Sequence, residues 1–168
     1  MNDKIVNKVA NSDLITIDLA DYSPKQTIAV FDVQNFLFEG VILKEKEFRK
    51  ALNEFDFSIY SEKIVALQCS SEAIVPMWSY MLITSYLKNV ATEIYFGGEK
   101  VVFQNLFLQN IKSIDSTEFT DKKVIVKGCG NIKLSESLYI AITNKLQNIV
   151  SSLMFGEACS SVPIFKKK

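Results

Sequence analysis

The chain has 168 residues, with 19 basic and 19 acidic side chains and no histidine. That length suits one domain or a little more, and a net charge of zero argues against nucleic acid as the main partner, because displacing its counterions takes a basic face. The missing imidazole removes the Ser-His-Asp and Cys-His arrangements, the histidine zinc motifs and the ordinary neutral-pH general base.

The predicted elements run as follows. Residues 14 to 19, "LITIDL", alternate apolar and polar and read as a strand. "DYSPKQ" is a turn broken by Ser23 and Pro24, and "TIAVFDV" (27 to 33) is a second strand. Phe36, Leu37 and Phe38 are too densely apolar to be exposed, and Phe48, Ala51, Leu52 and Phe55 have helical spacing. "KIVALQC" reads as a strand. "SSEAIVPMWSYMLITSYLKNV" reads as a helix capped by Ser70 or Ser71, with Pro76 near its first turn. "TEIYFG" is a strand and "EKVVFQNLFLQNIKSID" a helix. "KVIVKG" is a strand, and "SLYIAITNKLQNIVSSLMFG" is a long helix capped by Ser135 and stopped by Gly156.

This alternation predicts an α/β fold: a mostly parallel sheet of about five strands with helices packed on it, in two or three layers. The expected organisation is a single domain over 1–168, with 155–168 as a C-terminal tail docking on it. No internal repeat is visible in this reading. Lys166, Lys167 and Lys168 form the only run of three basic residues and read as a solvated end.

The opening segment has no continuous apolar core or small-residue cleavage site, and no stretch is long enough to span a bilayer. Three cysteines, an odd number at positions 69, 129 and 159, do not suggest a secreted disulfide framework. The expectation is a cytoplasmic protein with reduced thiols, no membrane contact and no nucleic acid.

Cys69 and Cys129 each end a predicted strand, at the edge where ligands bind in open parallel sheets. Cys69 stands directly before a predicted helix, whose dipole favours a thiolate. In "VIVKGCGN", Gly128 and Gly130 bracket Cys129 and would let the chain turn sharply there. Cys159 joins the other two only if the tail "GEACSSVPIF" folds back. Glu157 and Asp32 are candidate carboxylate partners. Without histidine, Cys69, Cys129, Cys159 and Glu157, with Asp32 as a further candidate, make a ligand set for zinc or for an iron–sulfur cluster. The competing readings are a non-catalytic binding or scaffold protein with buried structural cysteines, a homodimer included, and a persulfide carrier acting through Cys69. No catalytic residue is assigned by any of them.

Two blocks, "CSSEAIVPMWSYM" and "SLMFGEACSSVPIFKKK", supported by "FDVQNFLFEGVILKEKEFR" and "VIVKGC", carry a resemblance. Over nearly its whole length the chain resembles the bacterial family named domain of unknown function 2480. The resemblance implies no activity. It implies an association with iron–sulfur cluster assembly and its proteins as partners.

Overall fold

The computed structural model describes residues 14–128 and 132–168. In chain order the elements are β1 (Leu14–Asp18), β2 (Ile28–Asp32), α1 (Glu45–Glu54), β3 (Ile64–Gln68), α2 (Met77–Leu87), β4 (Glu93–Phe96), α3 (Glu99–Ser113), β5 (Lys123–Lys127), α4 (Glu136–Leu146), β6 (Ser152–Glu157) and β7 (Ser160–Lys166). The fold is α/β and its strands are mostly parallel. They form two sheets, ordered β1-β5-β6-β7 and β2-β3-β4. The residues cluster into a continuous unit, Lys25–Asn105, and a discontinuous unit, Met1–Pro24 with Leu106–Lys168.

The continuous unit is built on β3. Ile64, Val65, Ala66 and Leu67 are all buried, as a central parallel strand covered on both faces requires. It pairs in parallel with β2 on one side and β4 on the other. Its core is aromatic: Phe31 stacks on Phe36 with ring centroids 5.0 Å apart, and Phe55 meets Phe57 edge-on at 5.0 Å. On α1, Phe48 and Leu52 turn inward at i, i+4 spacing, while Glu45 and Arg49 pair on the outside at 2.9 Å. Phe38, expected inside, is exposed, and the Lys44 ammonium lies over its ring at 3.1 Å.

The discontinuous unit follows the same plan. Val124, Ile125 and Val126 are the buried central strand, and β5 pairs in parallel with β1 and β6. β7 is an antiparallel addition on β6.

The two units repeat one arrangement, which the sequence reading did not detect. At one constant offset, Asp56 and Asp115 each accept a hydrogen bond from the N–H two residues on. Glu62 and Asp121 both take positive φ, 59° and 56°. Their N–H groups bond the carbonyls of Val90 and Ile149. Helices α2 and α4 have equal length, and Gly97 and Gly156 end the matched stretch with φ 125° and 117°. Tyr80 meets Phe96 edge-on at 5.6 Å, as Tyr139 meets Phe155 at 5.7 Å. β1 and β2 match as well, each ending in an aspartate that caps the following 3-10 turn.

Two expected helices are shorter than the sequence suggested. The first begins at Met77 with Pro76 as its N-cap, because the proline ring disfavours helical geometry at Val75 before it. The second stops at Leu146. Beyond it, Leu153 is buried and Ser152–Phe155 pair with β5 as β6. An amphipathic pattern of period 3.6 does not distinguish that strand from one more helical turn, and pairing with β5 decides it. Gly156 is therefore not a helix stop but a strand residue. A Cβ there would approach the Ser160 carbonyl to 2.7 Å. The segment expected as a tail, 155–168, holds the end of β6 and the whole of β7.

Both the φ of Gly156 and this close approach bar a side chain. Gly156→Ala is expected to lower unfolding stability by about 1–3 kcal/mol, read by denaturant titration. A change within experimental error would show that the β6–β7 hairpin tolerates a normal residue there.

Candidate functional site

Each unit has a rim at the C-terminal ends of its parallel strands, the edge that binds ligands in open α/β sheets. In the continuous unit the rim is organised by Asp32, the last residue of β2. Its Oδ1 accepts the Gln34 N–H at 3.0 Å and the Ser70 N–H at 3.1 Å, and its Oδ2 accepts from Gln68 Nε2 at 3.4 Å. The Ser70 hydroxyl donates to Gln34 Oε1. Burial pushes the Asp32 carboxyl up, but its interactions with Ser70, the Gln34 N–H and the Gln68 amide outweigh it. The net pKa lies below the ordinary carboxylate value.

Cys69 follows β3 on this rim. It is half-buried, and its Sγ lies 3.4 Å from Ser71 Oγ and 3.7 Å from the Ser71 carbonyl. Because α2 starts only at Met77, Cys69 is not at a helix N-terminus, and the dipole argument for a thiolate does not apply to it. Tyr80 stands near both groups. Burial, with smaller contributions from Cys69 and Asp32, pushes its phenol up.

In the discontinuous unit the matched positions differ. Lys127 occupies the place of Gln68. Its Nζ lies 3.7 Å from Asp18 Oδ2 and 3.8 Å from Glu157 Oε1, so an ion pair network closes this rim. Glu157 thus faces a lysine. Cys159 is exposed in the turn between β6 and β7. Gly128 does not have positive φ; a Cβ there would meet Leu134 Cδ1 and the Tyr139 hydroxyl, so these two side-chain ends would have to move aside. The matched residue in the other unit is Cys69. Cys129 and Gly130 lie outside the described residues.

The structure therefore brings Asp32 and Cys69 to one rim, and places Glu157 and Cys159 in the other unit. Neither described cysteine is buried in the core. Among the described residues, no group of three or more Cys, Asp or Glu side chains is gathered closely enough to hold a metal ion. No helix among them is long and apolar enough to cross a membrane.

A second feature of the continuous unit is the outer face of α2, a helix whose Trp78, Tyr80, Met81 and Tyr86 read in sequence as core and interface. All eleven residues of α2, "MWSYMLITSYL", are uncharged. Ser79, Ile83 and Leu87 are buried, yet Met77 and Met81 are 76% and 74% exposed on the other side. Phe96, in ring contact with Tyr80, is 73% exposed, and Ile74 before the helix 93%. The signal was legible: a surface helix normally carries charge on its outer face, and this one carries none.

A family model for a protein of unknown function, DUF2480, matches residues 3–167. The chain belongs to the DUF2480 family. No curated protein and no solved structure matches it. For this DUF2480 member, function rests on the geometry of the rims and of α2.

Two outcomes are expected. Asp32→Ala should cost about 1 kcal/mol at neutral pH, as loss of a capping carboxylate does. A lowered pKa stabilises above the unfolded value of about 3.9 and stops doing so as pH falls through the folded one. The difference between wild type and variant should therefore shrink in acid. An unchanged difference from pH 7 to about pH 2 would exclude the ionised carboxylate as its source. Separately, Cys159 should alkylate faster than Cys69, read by mass spectrometry of partially labelled native protein; the reverse order would mark Cys69 as an activated thiol.

Proposed function

We propose that this DUF2480 protein is a non-catalytic binding module that docks a polypeptide partner on α2 and the adjoining end of β4. The observation that carries the reading is the uncharged α2, which exposes Met77 and Met81 on its solvent side next to exposed Phe96 and Ile74. A surface helix without charge on its outer face lacks the usual solvated side, and exposed apolar surface of this kind marks an interaction site. Met77 and Met81 suit this role because flexible thioethers repack against varied partners. Cys69, beside Tyr80, stands at the margin of the patch, where a bound partner would shield it.

The metal or iron–sulfur reading draws on donor chemistry: Cys69, Cys129 and Cys159, with Glu157 or Asp32, are the right ligand types for zinc or iron. Iron–sulfur assembly proteins as partners belong to that reading. Persulfide carriage on Cys69 loses the helix-dipole support that the sequence suggested.

A photo-crosslinking residue placed at position 81, in cells that naturally make the protein, tests the docking reading. It should give one discrete adduct with a different polypeptide. That adduct should disappear with Met77→Lys and be absent from position 46 on α1. No adduct would overturn the reading, and an adduct with a second copy alone would replace it with a homodimer. Metal and sulfide analysis of protein purified without oxygen checks the other reading. About one zinc or one iron–sulfur centre per chain would establish it, and metal-free folded protein would remove it.

A further inference from the structure

The discontinuous unit has a pocket of about 540 Å³ at the opposite end of its sheet from the rim. Three neighbouring strands form it in register. Lys123 begins β5, Ser152 begins β6 and Lys166 ends β7, and the pairing sets Lys123 beside Ser152 and Ser152 beside Lys166. Paired residues on adjacent strands share a face, so two lysines flank one serine there. Met154 and Pro163 form the floor, Phe165 adds to the lining, and Lys167 and Lys168 complete the wall. Asp121 pairs with Lys167 at 2.8 Å and offsets one of these four charges.

Lysines on an edge strand are a common guard against unwanted pairing, which accounts for Lys166 on β7. It does not account for Lys123, because β5 lies between β1 and β6 in the interior of the sheet order. Like charges lining one apolar pocket repel one another, and a cleft concentrates their field. An anion relieves that repulsion, and the long lysine stems can lie along its apolar body. The volume falls in the range of small-molecule sites, which are mostly apolar with a few polar groups that fix orientation.

We propose that this pocket binds a small organic anion, a carboxylate or phosphate monoester with an aliphatic or aromatic body. The anionic group sits between Lys123 and Lys166, within reach of the Ser152 hydroxyl. The apolar body lies on Met154 and Pro163. The terminal lysines thus act as a ligand wall and not as a solvated end. The site is separate from α2 and does not depend on the docking reading.

Calorimetric titration of the full chain with octyl phosphate tests this, with 1-octanol, octyltrimethylammonium, inorganic phosphate, anionic vesicles and a short RNA as comparisons. Saturable one-to-one binding of octyl phosphate is expected. Inorganic phosphate should bind at least about tenfold more weakly, for want of the apolar contact. Affinity should fall as salt rises from about 0.05 M to about 0.5 M. Lys123→Gln with Lys166→Gln should weaken binding by about tenfold or more while the thermal midpoint stays near that of wild type. If that pair fails to fold, Met154→Gln serves instead and should weaken octyl phosphate but not inorganic phosphate. Equal binding of octanol would reduce the pocket to a plain apolar patch. Binding of vesicles or RNA without the monomer would also overturn the proposal, as would undiminished binding by a folded variant.

Discussion

Each unit depends on one strand that is buried on both faces. In β3, and again in β5, the run of apolar residues has no solvent side. Such a strand must be flanked by partners in the sheet and covered above and below, and parallel partners require crossover helices to return the chain. The length of α2 and α4, the positive φ at Glu62 and Asp121, and the hydrogen bonds from those two residues to the turns that follow the helices all fit bringing the chain back to that strand.

The repetition of this plan makes the differences between the units informative. The scaffold is kept: capping aspartates, helix lengths, Tyr–Phe ring pairs and terminal glycines agree. The rims are not kept. Gln68 and Lys127 hold equivalent aspartates, but only Lys127 also reaches a glutamate. Cys69 stands where Gly128 makes room for Tyr139. One rim is therefore closed by ion pairs and the other presents hydrogen-bonding groups and a thiol. The outer face of α2 and the lysine-walled pocket are further departures, one in each unit, and both are surfaces and not parts of the shared core.

Much of this was readable in advance. Central strands are continuous apolar runs and declare themselves, and Cys69 follows the end of β3, as the strand reading of that segment implied. The repeat escaped notice because its matched positions, such as Lys63 with Lys122, Thr84 with Thr143 and Asn89 with Asn148, are scattered among unrelated ones; they become obvious only when caps and φ angles are compared. The end of α4 escaped because Ile149–Phe155 can continue a helical stripe or alternate as a strand. The three-cysteine set assumed one sheet edge, and two sheets divide Cys69 from Glu157 and Cys159 between units.

By itself, the sequence determined the α/β class, the buried strands, the absence of imidazole chemistry and the family, since these depend on local composition and order. Tertiary structure decided the rest. Pairing with β5 turned the expected end of a helix into β6, because burying Leu153 against the sheet outweighs local helical preference. Register across β5, β6 and β7 set lysines far apart in sequence around one floor. Packing left one side of an apolar helix uncovered. Which side chains meet, and which face stays bare, depends on long-range pairing that no local pattern encodes.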